Sequence, residues 1–183
     1  MYPGVSFTFY NYGIGAENLE SGLARFDQNY SYHNRSYPPI TQISPDIFIV
    51  GSYGYNPFSP YDRNKHWLKL SEMVGRAKEV SGSVYILAEV APLASGFGEG
   101  PGGVNWPKDL SNNQARIIVE QLENARGVAS EKGVGFIDVY SESVISGSKY
   151  GQKQYVATHD GIHTSETGQK LTAEVIASTI KLP

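Results

Sequence analysis

Apolar residues run almost unbroken through four short segments: Val5 to Tyr12 (VSFTFYNY), Asp46 to Gly51 (DIFIVG), Val84 to Val90 (VYILAEV) and Val134 to Tyr140 (VGFIDVY). Each is rich in β-branched or aromatic residues and bounded by turn formers, which predicts strands. Continuous runs, rather than strict alternation, fit a parallel sheet covered on both faces. Between and after them the spacing becomes helical. Glu17 to Asp27 carries Leu19, Leu23 and Phe26 at i, i+4 and i+7; Asp62 to Val80 carries Trp67, Leu70, Met73, Val74 and Ala77. Asn112 to Lys132 carries Ile117, Ile118, Leu122, Ala125 and Ala129. Ser111 with Gln114 three places on predicts a capping box at its start, and Gly133 marks its end. A last helix over about Gly168 to Lys181 puts Leu171, Val175, Ile176 and Ile180 on one stripe.

Strand followed by helix, four times over, predicts right-handed βαβ units in a single three-layer α/β/α domain spanning residues 1–183. Tyr30 to Pro39 is predicted to be a loop; its two glycosylation-type tripeptides, at Asn29 and Asn34, are common by chance. The longest irregular stretch, Ala91 to Lys108, holds Gly96, Gly98, Gly100, Gly102 and Gly103. It follows the carboxyl end of the third strand, where α/β sheets bind ligands, so it is read as a mobile rim of a site or as an insertion without a role.

Composition narrows the function classes. A chain of 183 residues that is 40% hydrophobic and 18% charged can bury a core. A net charge of -3 argues against coating nucleic acid and against a polybasic membrane-surface binder. With no cysteine, disulfides, thiolate zinc sites, iron–sulfur clusters and a cysteine nucleophile are excluded. No apolar run is long enough for a membrane helix, and Met1-Tyr2-Pro3-Gly4 lacks the basic and apolar regions of a signal peptide. Tyrosine, at 13 residues against 7 phenylalanines, fits half-buried strand and loop surface, or a face presenting ring and hydroxyl together as sugar-binding surfaces do.

Three loops hold candidate chemistry. In His159-Asp160-Gly161-Ile162-His163-Thr164, Asp160 can accept a hydrogen bond from one ring nitrogen of His163, leaving the other as a general base. The alternatives are a helix-capping aspartate beside a surface histidine, and a metal site using His159, Asp160 and His163. In Gly51-Ser52-Tyr53-Gly54-Tyr55-Asn56-Pro57, Asn56 follows a strand, and its amide is a suitable donor to an oxyanion or an ordinary turn former. Asn11-Tyr12-Gly13-Ile14-Gly15-Ala16-Glu17-Asn18 partly matches a dinucleotide fingerprint, with Asn18 where the third glycine belongs. Alternatively, backbone N–H groups there point at an anionic atom.

Taken together the loops resemble the SGNH (GDSL-type) hydrolase family of esterases and lipases. Asn-Tyr-Gly-Ile-Gly-Ala looks like its second motif block, Gly54-Tyr55-Asn56 like its third, and Asp160-Gly161-Ile162-His163 matches the Asp-x-x-His of its fifth. The resemblance implies a flavodoxin-like parallel sheet of order 2-1-3-4-5. It also implies His163 as base, Asp160 as its orienting acid, and an oxyanion hole from the Asn56 amide and the backbone N–H of Ala16 or Gly15. It calls for no cofactor or metal, and its substrates are small-molecule or carbohydrate esters. Three departures stand out. Ala16 occupies the usual donor-glycine position, Pro57 follows Asn56, and the first block with the nucleophilic serine is absent. In the family that block closes the central strand, so this sequence is expected to be part of a longer gene product, lacking that strand and inactive alone. Ser52 does not sit in a Gly-x-Ser-x-Gly elbow and is not expected to substitute. A non-catalytic carbohydrate-binding domain on an esterase scaffold, and a Rossmann-like nucleotide binder using Gly13 and Gly15, are the alternatives.

Overall fold

The structure, a computed structural model, describes residues 4–182. Helix α1 (Leu19–Ala24) starts at Asn18, whose side chain accepts from the Ser21 N–H. A hairpin follows, strands β1 (Tyr30–Tyr32) and β2 (Arg35–Tyr37), paired antiparallel. Then come β3 (Ile47–Gly51), α2 (Arg63–Val80), β4 (Ser83–Ala88), α3 (Lys108–Lys132), β5 (Gly135–Asp138), α4 (Val139–Ser143) and α5 (Glu166–Thr179). Strands β3, β4 and β5 form a parallel sheet in that order, with Val50 opposite Ile86 and Ile86 opposite Phe136.

Alternation along β4 sorts the layers, because neighbouring side chains leave a strand on opposite faces. Val84 and Ile86 pack with Leu70, Val74 and Ala77 of α2 and with Ala129 of α3. Tyr85 and Leu87 pack with Leu171, Val175 and Ile176 of α5. Helices α2 and α3 therefore cover one face and α5 the other, as the repeating strand–helix order requires. All three strands end at the same edge, so residues 52–56, 89–107 and the chain after β5 are delivered to one rim. No helix among the described residues is long and apolar enough to cross a membrane.

Four expectations are corrected. Val5 to Tyr12 forms no strand: residues 5–14 are irregular, with Val5, Phe7, Phe9 and Tyr10 exposed. A strand exists only with a ladder partner, and the sheet's β3 edge pairs with no strand among the described residues. Tyr30 to Pro39 is not a plain loop but the β1–β2 hairpin. His33 and Asn34 both have positive φ (46° and 60°), as a two-residue type I′ turn needs. Helix α3 begins at Lys108 behind Pro107, whose missing N–H costs a helix start nothing. Ser111 is therefore not a cap; it lies inside the helix, buried, with its hydroxyl unbonded. Finally, β5 stops at Asp138, which turns the chain into α4 by accepting from the Ser141 N–H.

A buried hydroxyl without a partner is a net cost, and alanine is the better helix former. Ser111→Ala is therefore expected to stabilise the protein by up to about 1 kcal/mol, read as a higher urea midpoint with unchanged slope.

Candidate active site

The chain between β5 and α5 folds back on itself before the last helix. The Ala157 N–H donates to the His163 carbonyl at 2.7 Å, and the Gly161 N–H to the Ala157 carbonyl at 2.9 Å. Gly161 has φ +65°, and a methyl there would overlap the Gly96 carbonyl. Inside this turn the Asp160 carboxylate is buried and fully engaged. Oδ1 accepts from the backbone N–H groups of Ile162 (2.8 Å) and His163 (2.9 Å), and Oδ2 lies 2.6 Å from His163 Nδ1. Burial alone would raise the Asp160 pKa, but these hydrogen bonds and the adjacent ring hold it below the ordinary value of 3.8. An ionised carboxylate only accepts, so Nδ1 of His163 carries a proton, and in the neutral ring it is Nε2 that is left as acceptor. The His163 side chain is 82% exposed.

Asn56 stands on the loop after β3. Tyr53 takes φ +57° there, and its carbonyl accepts from the Asn56 N–H at 3.1 Å. Such a backbone state in a bulky residue is strained and persists only where the surroundings over-determine it. The surroundings are a buried polar network. Ser52 is fully buried; its hydroxyl bonds to Glu89 and accepts from the Gly54 N–H at 2.9 Å. Its carbonyl receives His66 Nε2 of α2 at 2.9 Å. Asn124 of α3 donates to the Arg63 carbonyl and lies 3.3 Å from His66 Nδ1, while Gln121 donates to the Gly54 carbonyl at 2.8 Å. Burial pushes His66 down to about 4, against the opposing pull of the Ser52 carbonyl, so it is neutral at pH 7. Burial likewise pushes Glu89 up, with the Ser52 hydroxyl opposing. Ser52 is thus a brace and not an accessible nucleophile.

Ala16 and Asn56 share a cavity of about 490 Å³, which Gly15 does not line. Ala16 has φ +61°, the left-handed conformation that glycine adopts without strain. The glycine-rich stretch joins this cavity to the His163 turn. Trp106 lines the cavity, and the Phe97 ring lies 6.4 Å from that of Tyr55. Gly98 N–H donates to the Gly161 carbonyl (3.3 Å) and Gly102 N–H to the His159 carbonyl (2.9 Å). A side chain at Gly100 or Gly102 would overlap His159. The stretch is therefore packed and hydrogen-bonded, not the mobile rim its composition implied. Gly100 and Gly103 allow close backbone approach, and Gly98 and Gly102 leave room for the Val104 and His159 side chains.

No group of three or more metal-ligating side chains occurs among the described residues, so His159, Asp160 and His163 do not gather as a metal set. At the supposed dinucleotide loop, α1 is six residues long and Asn18 already satisfies one of its free N–H groups. The bracing residues Glu89, His66, Gln121 and Asn124 escaped sequence reasoning. Their signal was present: each is a polar residue standing at an apolar position of a strand end or helix stripe.

No family model and no curated protein matches the chain by sequence. Its three-dimensional structure does match solved ones. A GDSL-like lipase from Bacteroides thetaiotaomicron superposes with a TM-score of 0.65 at 16% identity, covering 89% of this chain and 70% of that one. An acetylxylan esterase from Geobacillus stearothermophilus gives 0.59 at 14% identity, covering 92% and 69%. The fold is that of the SGNH (GDSL-type) hydrolases.

Two outcomes are expected. Ala16→Gly should be neutral or stabilising by up to about 1 kcal/mol, because relief of left-handed strain offsets the added freedom of the unfolded chain; Ala125→Gly in α3 should lose stability. Thermal midpoints check both. Stability should also fall with acid in two steps. Between about pH 6.5 and 4 the unfolded chain takes up a proton that folded His66 refuses, at a cost approaching 3 kcal/mol. The Asp160 contribution is present above the ordinary aspartate value and is lost only as pH falls through its lowered one. Urea unfolding across pH should show the first step flattened in His66→Gln and the second in Asp160→Asn.

Proposed function

We propose that this fold carries serine-dependent ester hydrolysis at the rim holding His163 and Asn56. The observation that carries the proposal is the Asp160–His163 pair, because a buried, fully engaged carboxylate fixes the tautomer that leaves Nε2 as base. A serine hydroxyl attacks the ester carbonyl carbon and its proton passes to His163 Nε2. The tetrahedral oxyanion accepts from the Asn56 amide and the backbone N–H of Ala16, with Gly15 as the neighbouring donor. His163 then protonates the leaving alcohol, and water repeats the sequence to release the acid. Asp160 stays ionised and stabilises the imidazolium that forms in each half.

The serine is proposed to come from outside residues 1–183, on a parallel strand seated along the open edge of β3. That strand would give β3 its missing ladder, and its carboxyl end would deliver the hydroxyl to the rim where His163 stands. The substrate class is proposed to be acyl esters, O-acetylated carbohydrate first. This follows the acetylxylan esterase likeness and a cavity lined by aromatic rings and amides.

With p-nitrophenyl acetate, residues 1–183 alone are expected to turn over at the background rate, since losing a triad nucleophile costs on the order of 10⁶ in kcat. A gene product extended upstream through a Gly-Asp-Ser segment should be active. His163→Ala should abolish that activity, and Asn56→Ala should lower kcat about 10²- to 10³-fold. Robust, His163-dependent turnover by residues 1–183 would overturn the external serine.

A further inference from the structure

We infer that the cavity beside Asn56 is a subsite for a neutral sugar ring, with the exposed Trp106 as its platform. The inference rests on the ester reading only in taking Asn56 as the reacting end. The cavity, at about 490 Å³, is far roomier than an acetyl group needs and falls in the range of small-molecule pockets. None of the residues lining it is charged, which disfavours nucleotides, phosphates and ionised acids.

Its walls combine rings with amides. Trp106 is 44% exposed and so presents part of its ring to the cavity mouth. Tyr61, which also lines the cavity, is held by its hydroxyl, which donates to Glu120 at 2.7 Å. Besides Asn56, three amides line the same space: Asn18, Asn113 and Gln114. Asn18 spends its oxygen on the Ser21 N–H (3.1 Å) and Asn113 spends its oxygen on Arg116 (2.9 Å). Each keeps an NH2 group with no hydrogen bond among the described residues. A ring face beside several unspent donors fits a molecule that is apolar on one side and rimmed with acceptor oxygens. A pyranose has that chemistry. An acyl chain does not, because covering those amides with methylenes would leave them desolvated and unbonded.

The test needs binding alone, so it does not depend on a nucleophile. The chain has two tryptophans, and Trp67 lies apart, its indole bonded to Glu131 on α3. Trp67→Phe leaves Trp106 as the sole indole reporter. Titration with xylotriose and with cellotriose is expected to give a saturable change in its emission in the millimolar range. Calorimetry on the unmodified chain should show the same affinity. Trp106→Ala should abolish the calorimetric signal, and Asn113→Ala should weaken binding about three- to tenfold, one hydrogen bond's worth. A saturable response to neutral decanol with none to either sugar, no response at all, or sugar binding that survives Trp106→Ala would overturn the inference. Sugar binding with no hydrolysis by the extended gene product would uphold the subsite and remove the esterase reading. Hydrolysis with no sugar binding would do the reverse.

Discussion

Two segments joined by main-chain hydrogen bonds, with backbone facing backbone at Gly100 and Gly161, hold the two halves of the rim in register. Gly98 meets Gly161 and Gly102 meets His159 through main-chain hydrogen bonds, and an added methyl at Gly100, Gly102 or Gly161 would strike a neighbour. Because such contacts leave no rotamers to rearrange, the His163 turn inherits the position of the stretch after β4. That stretch in turn borders the cavity that Asn56 and Ala16 share. The loop of Asn56, the glycine-rich stretch and the chain leading to the His163 turn thus leave the same ends of adjacent parallel strands, whereas Ala16 follows irregular chain.

The oxyanion side is held by different means. Its loop contains a residue in a disfavoured backbone state, Tyr53, and Ala16 across the cavity is in another. Tyr53 is over-determined by Glu89, His66 and Gln121, which find partners in Ser52 or Gly54, with Asn124 against His66 behind them. Burial favours the uncharged forms of His66 and Glu89, and hydrogen bonds join both to Ser52. Rigid support under a loop that carries a donor is what electrostatic stabilisation of a transition state requires, since donors that must reorient contribute less.

Much of this was legible in the residues. Long apolar periodicity found α2, α3 and α5, and the three β-rich runs that became the parallel sheet, because those segments bury one face whatever their neighbours do. The Asp160–His163 pair was legible because three-residue spacing across a glycine suits a turn. What failed was non-local. Val5 to Tyr12 has a strand's composition, but a ladder is a property of two segments. Ser111 has a cap's local pattern, but Pro107 starts the helix a turn earlier. Alternating tyrosines at 30, 32 and 37 carried a hairpin signal that the surrounding polar residues masked. The glycine-rich stretch looked mobile because glycine permits freedom and close packing alike, and only the facing backbone decides between them.

The account stands on the convergence of residues 56 and 163 at one rim. The chain has no cysteine, so an introduced pair reports without interference. The direct measurement is cross-linking of an Asn56→Cys/His163→Cys double variant by a short bifunctional thiol reagent. A Lys78→Cys/His163→Cys pair, with Lys78 at the far end of α2, serves as control. Efficient intramolecular cross-linking of the first pair and none of the second is the expected result. Failure of the first pair to link, or equal linking of both, would contradict the convergence and the function built on it.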